Sequence, residues 1–181
     1  MMKLDRHDKS FGYPYTHSDG KGRKWAFKKE KSLTAGTTLN LGGADFYFKI
    51  DYDFVDAAGT GAVAFKQLLT KRGIDQDMIR RIGIATYEAE ANVVIHSTGT
   101  GHIYGFINTG HVIVVVFDNG IGIENIDTAM KEGFTTASDE IRDRGFGAGM
   151  GIPNMKRYSD KFVMMSEKSL GTRVEMIFRL E

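Results

Sequence analysis

Three groups of residues in this chain have the types and spacing to do chemistry on an anionic ligand. The first is "GFGAGMG", in which Gly145, Gly147, Gly149 and Gly151 leave four of seven positions without side chains. Backbone N–H groups converge on an anion only where the chain comes close, and side chains at those positions would prevent it. A helical segment follows directly, with Pro153 suited to a first turn, where its missing donor costs nothing. Its N-terminus adds unpaired N–H groups and a partial positive charge. The segment is therefore built like a phosphate cradle. It lacks the Gly-Lys-Ser/Thr ending of a P-loop and the G-x-G-x-x-G spacing of a dinucleotide fingerprint. Read alone, it also fits a plain flexible loop.

The second group is "DNGIGI", Asp118 to Ile123, directly after the most apolar run of the chain. A carboxylate at the rim of a core needs a partner, and an exocyclic amine of a ligand is one solution. Gly120 and Gly122 would let something planar approach the backbone. The competing reading is an Asx turn, for which Asp-Asn-Gly is strong chemistry. The third group lies in "YEAEANVVIH". At 100° per residue, Asn92 sits about 40° around a helix from Glu88, and His96 about 80°. Ala85, Ala89 and Val93 flank this stripe, while Glu90 points roughly 160° away from Asn92. Asn92 offers a neutral oxygen suited to Mg2+, and Glu88 can orient or deprotonate a nucleophile. A satisfied buried hydrogen-bond pair is the alternative for both. His96 reads as a helix-end core histidine, not a ligand.

The elements that must hold these groups follow from periodicity. "DFYFKI" (45–50) reads as a strand and "DAAGTGAVAFKQLLTKRG" (56–73) as a helix closed by basic residues and Gly73. Asp75 caps a second helix over 76–97 that carries Glu88, Asn92 and His96. "HIYGFI" and "HVIVVVFD" make a hairpin through Asn108, Thr109 and Gly110. The unbroken apolar run of its second arm implies burial on both faces. A loop-rich stretch with a short helix at "IDTAMKE" leads to the glycines. A helix from Pro153, a strand "KFVMMSE", a turn at Leu170-Gly171 and a strand "TRVEMIFRL" complete the chain. The expected fold is α+β: a two-layer sandwich with helices on one face of a mixed, mostly antiparallel sheet.

Length and composition bound the rest. The 181 residues suit one domain with an appendage, 41% of them are apolar, and there is no cysteine. That excludes disulfides, thiolate metal sites and cysteine nucleophiles. No apolar run approaches a membrane span and no signal-type segment opens the chain, which points to a cytoplasmic protein without membrane contact. Residues 1–43 carry nine Lys/Arg against four Asp/Glu, and the remainder fifteen against nineteen. The expected division is a basic N-terminal extension, 1–43, and a domain over 44–181. The extension reads as a mobile arm. Tyr13, Tyr15, Trp25 and Phe27 among lysines would suit base stacking, but no nucleic-acid motif accompanies them. His7 and His17 are not at metal-ligand spacing.

Taken in order, "EAEANVVIH", "DNGIGI" and "GFGAGMG" resemble the N box and the two glycine boxes of the GHKL ATPase superfamily, which has the Bergerat fold. "GT" at Gly171-Thr172 resembles its late-strand motif, and the likeness runs from about Ala44 to Glu181. The Glu-x-x-x-Asn box and "KEGFTTASDEIRDRGFGAGMGIPNMKR" are most similar to the bacterial anti-sigma-factor and switch-protein serine kinases. The resemblance implies ATP and Mg2+ as cofactors. Asp118 would accept a hydrogen bond from the adenine amine, assisted by Thr172, with Gly120 and Gly122 seating the base. Asn92 would hold Mg2+, Glu88 would act as general base, and Gly145, Gly147, Gly149 and Gly151 would wrap the phosphates. Arg142 and Arg144 could offset developing charge. The implied partners are a STAS-domain anti-sigma-factor antagonist, a sigma factor and a second copy of the chain. The resemblance leaves two alternatives: a nucleotide-binding anti-sigma module without efficient transfer, or an ATP-gated nucleic-acid or assembly factor using the basic arm. Phe146 and Met150 replace the usual leucines of the second glycine box, and the N-terminal extension has no counterpart in the minimal kinases.

Overall fold

The computed structural model describes residues 41–50 and 58–181. The expectations for Tyr13, Tyr15, Trp25, Phe27, His7 and His17, and for a helix start at Asp56, lie outside the described residues. A 3-10 turn at Leu41–Gly43 leads into β1 (Phe46–Ile50), α1 (Thr60–Lys71) and α2 (Gln76–His96). The hairpin β2 (Gly101–Asn108) and β3 (His111–Asp118) follows, then α3 (Ile126–Ala129), α4 (Asp139–Asp143), α5 (Gly151–Tyr158), β4 (Lys161–Glu167) and β5 (Gly171–Arg179). The strands form one sheet in the order β1-β2-β3-β5-β4. All four pairings are antiparallel, so the mostly antiparallel sheet that was expected is purely antiparallel among the described residues. The fold is α+β, with α1, α2 and α5 on one face.

α2 is the axis of the site. The Asp75 side chain accepts from the amides of Asp77 and Met78, fixing the first turn. Ile79, Ile82, Ala85, Ala89 and Val93 are buried along one stripe, the i, i+3, i+4 pattern of a helix lying on a core. Glycines let the neighbours close in. A Cβ on Gly105 of β2 would stand 2.5 Å from the Phe65 ring of α1. One on Gly83 of α2 would stand 2.6 Å from the Lys66 stem.

β3 is the middle strand, as its apolar run implies. Val112, Val114 and Val116 face the helical core. Ile113, Val115 and Phe117 join Tyr104 and Phe106 in a second cluster on the other face, where Leu41 and Ala44 also pack. β5 alternates, with Val174, Met176 and Phe178 in the helical core. The first half of its other row is not solvated. Arg173 and Glu175 pair across to Phe117 and Val115 of the second cluster and are only 2% and 0% exposed. Arg173 Nε donates to Glu175 Oε1 at 2.8 Å. Two charges at such depth are tolerated because each sits beside its opposite.

Two local elements differ from expectation. α4 falls where only loop was expected. Ser138 Oγ accepts from the Ile141 amide at its start. At its end Gly145 N and Phe146 N bond back to the carbonyls of Arg142 and Ile141, the Schellman stop that needs a left-handed glycine. α5 begins at Gly151, two residues before Pro153, which still falls within the first turn.

Candidate active site

The C-terminal half of α2, the loop after β3, the segment around α3 and α4, the start of α5 and the β4–β5 ends enclose a cleft of about 920 Å3. Glu88, Asn92 and His96 all line it, so the helical stripe faces one space. Asp118, Gly122, Thr172 and the four glycines Gly145, Gly147, Gly149 and Gly151 line it as well. Segments separated by up to 84 residues thus meet at one site.

Asp118 closes one end. It is 8% exposed, at the last position of β3. Its Oδ1 accepts from the Gly120 amide at 2.7 Å and from Ser97 Oγ at 3.0 Å. Burial raises its carboxyl above the ordinary value, while bonds from the Gly120 amide, Ser97 and the Thr172 amide pull it back down. The Asx turn and the carboxylate site are therefore one structure: one oxygen closes the turn that sets the group in place. Gly120 is buried behind Asp118, where a Cβ would meet Ser97 Oγ at 2.4 Å, and it does not line the cleft.

Gly122 has φ +71°, and a Cβ there would stand 2.1 Å from the Glu167 carbonyl oxygen. The same crowding holds at Gly171, where φ is +104° and a Cβ would stand 2.0 Å from the Asp118 carbonyl oxygen. Ser166 ties these segments together. Its Oγ accepts from the Ile123 amide at 2.7 Å and donates to the Gly171 carbonyl at 2.9 Å, with Thr172 Oγ1 2.8 Å away.

The four alternating glycines do different work. Gly145 stops α4, and nothing lies within 4 Å of its Cβ position. Gly147 (φ +70°) abuts the Ala137 methyl at 2.5 Å. Gly149 (φ +72°) lies against backbone, 2.4 Å from the Gly133 carbonyl carbon, and its carbonyl accepts from the Gly133 amide at 3.0 Å. Gly151 opens α5, with its Cβ position 2.9 Å from Asn92 Oδ1. The N-cap residue of α5, Met150, offers no side-chain cap. Asp75, Asn125 and Ser138 do cap α2, α3 and α4.

At this end Glu88 Oε1 accepts from Asn154 Nδ2 of α5 at 2.7 Å. Glu90 lies on the other side of α2, 1% exposed, accepting from the Gly61 and Ala62 amides at 2.9 and 2.8 Å. Burial raises its carboxyl and the amides of Gly61, Ala62 and Gly59 lower it. His96 is half-buried at the cleft wall, its Nδ1 3.2 Å from Thr136 Oγ1, and burial lowers its basicity. Arg142 and Arg144 pair with Asp139 and Glu140 on exposed α4 and do not line the cleft. Ser97, Ser166, Asn154 and the capping role of Glu90 had no sequence signal, because each acts on a partner at least 5 residues away, most of them on another element.

The donor set suits Mg2+ bound mainly through phosphates. Asn92 places one neutral oxygen against the start of α5, and Mg2+ accepts few protein oxygens and keeps its waters. Among the described residues there is no group of three or more His, Asp or Glu that would cage a metal. None of the described helices is long and apolar enough to cross a membrane.

The sequence of this chain has counterparts among known proteins. The family model described as histidine kinase-, DNA gyrase B- and HSP90-like ATPase matches residues 70–181. The anti-sigma F factor of Clostridium kluyveri is 36% identical over 104 residues, 55% of this chain and 70% of that one. The anti-sigma F factor of Clostridium botulinum (strain Eklund 17B / Type B) is 32% identical over 136 residues, 71% of this chain and 92% of the relative. Among solved structures, the mycobacterial sensor histidine kinase MprB aligns with a TM-score of 0.46 at 14% identity, over 75% of this chain and 99% of that one. The chain belongs to the histidine kinase-, DNA gyrase B- and HSP90-like ATPase family, the GHKL superfamily that its three boxes resemble.

Proposed function

We propose that this protein is an ATP-dependent protein-serine kinase of a partner-switching system in the cytoplasm. It would phosphorylate a serine of a STAS-domain antagonist and hold a sigma factor as its second partner. The observation that carries this reading is the convergence of Asp118, Asn92 and Glu88 on one cleft whose far wall is a glycine loop leading into an uncapped helix. The anti-sigma F factors among its relatives support the regulatory half.

Asp118 presents a carboxylate where the adenine amine would sit, with Thr172 beside it. The N-terminus of α5 and the backbone of the glycine loop would hold the phosphates. Asn92 would hold Mg2+, which when bound offsets phosphate charge. Glu88 would take the proton of the seryl hydroxyl as its oxygen bonds to the γ-phosphorus. The bond from that phosphorus to the β–γ bridging oxygen breaks, leaving ADP and phosphoserine. Phosphoryl transfer needs little beyond such positioning and electrostatics.

The test is a transfer assay with radiolabelled ATP and a STAS-domain protein, run on wild type and Glu88→Ala. Label on the STAS serine with wild type, and none with the variant, is the expected result. Binding of Mg-ATP without any transfer would leave a nucleotide-binding anti-sigma module instead.

A further inference from the structure

We infer that Asn154 is a positioning residue for phosphoryl transfer: it holds the Glu88 carboxylate in place and ties it to the helix that opens at the phosphate loop. The inference rests on the reading of Glu88 as general base. The contact is close, Asn154 Nδ2 donating to Glu88 Oε1 at 2.7 Å across 66 residues of sequence. The orientation of the amide follows from chemistry, since its oxygen would repel a carboxylate whereas its NH2 group donates to one. A carboxylate accepts at both oxygens, so Asn154 takes one and leaves the other for an incoming hydroxyl. Glu88 is a flexible side chain on a half-buried part of α2, and a base helps only when held at hydrogen-bond distance from the proton it removes.

A second contact makes this more than a surface hydrogen bond. Gly151, one turn before Asn154 on α5, lies against the Asn92 amide. Glu88 and Asn92 are likewise one turn apart on α2. Two successive turns of α5 therefore meet two successive turns of α2, each at a residue assigned to the chemistry. Any shift of α5 as its N-terminus takes up phosphate would carry the Glu88 contact with it, so the base is aligned by the same helix that receives the phosphates.

The experiment uses the full chain in two measurements. The first records the side-chain NH2 signals of Asn154 in 1H–15N spectra without nucleotide, for the wild type and Glu88→Ala. A displacement of that pair in the variant is expected, and an unmoved pair would overturn the contact. The second compares Asn154→Ala and the isosteric Asn154→Asp with wild type for ATP affinity, unfolding midpoint and turnover to a STAS-domain protein. Turnover should fall about 100-fold in both variants, while ATP affinity and unfolding midpoint stay near wild type. A purely structural role would spare Asn154→Asp or lower ATP affinity and turnover together, and either result sinks the inference. If wild type shows no turnover although the NH2 pair responds to Glu88→Ala, the base reading has failed. The positioning role falls with it, and the contact stands as structural.

Discussion

Glu88 and Glu90 stand two residues apart on α2 and serve opposite sides of it. Glu88 faces the cleft and accepts from Asn154 of α5. Glu90 is buried at 1% exposure against the first turn of α1, where its two oxygens accept the amides of Gly61 and Ala62. Free N–H groups at a helix start need acceptors, and here a carboxylate from the neighbouring helix supplies them.

Glu90→Gln should therefore destabilise the fold while Glu88→Gln does not. The glutamine NH2 would face one of the two amides, leaving a buried donor without an acceptor, at about 2 kcal/mol. That corresponds to a drop of roughly 4–8 °C in the unfolding midpoint for a chain of this size. Equal midpoints for the two variants would refute the capping role.

Asp118→Asn should abolish the thermal shift produced by Mg-ATP. At 100 times its dissociation constant, nucleotide should add about 2.7 kcal/mol to wild type, or roughly 5–10 °C. A variant that still responds would remove Asp118 from the adenine site.

The same substitution should change how stability depends on pH. Burial raises the folded-state carboxyl of Asp118 above the ordinary aspartate value, so the folded protein binds this proton more tightly than the unfolded chain does. The group's stabilising contribution is complete below that value and is lost as pH rises through the higher folded one. Asp118→Asn removes this loss. Its stability relative to wild type should thus be greater at pH 7 than at pH 4, read from denaturant midpoints without nucleotide. The opposite trend would contradict the direction of the shift.

Ser97→Ala should weaken ATP binding about tenfold, or about 1.4 kcal/mol. The serine donates to Asp118 Oδ1 and also fills the space beside Gly120. Calorimetric titration would show unchanged affinity if the hydroxyl has no part in holding the carboxylate.

The alternating glycines should respond unequally. Gly149→Ala puts a Cβ 2.4 Å from the Gly133 backbone at a positive φ, and neither can yield without moving the loop, so the nucleotide response should be lost. Gly145→Asn meets nothing within 4 Å, and Asn tolerates left-handed backbone, so the response should persist. Equal effects would mean that conformation alone, and not the close approach at Gly149, sets the loop.

Much of this was legible in the chain because it depends on neighbours in sequence. A 3.6-residue period put Glu88, Asn92 and His96 on one stripe and sent Glu90 elsewhere, and an unbroken valine run marked β3 as buried on both sides. Turn chemistry at Asp118-Asn119-Gly120 and the glycine spacing marked two loops, and Glu88, Asn92, His96, Asp118 and the four alternating glycines do line one cleft. The signals for α4 were also present, in Ser138 and Gly145, but five residues between a cap and a stop are too few to show a period. What the chain could not disclose were contacts between segments far apart. Ser97 reaches Asp118 and Asn154 reaches Glu88 across 21 and 66 residues. Gly149 needs its glycine because Gly133 backbone lies against it, and Arg173 and Glu175 are buried because the far face of the sheet carries a second apolar cluster. Local patterns record the period of each element, whereas the partner of a buried polar group is set by how elements pack.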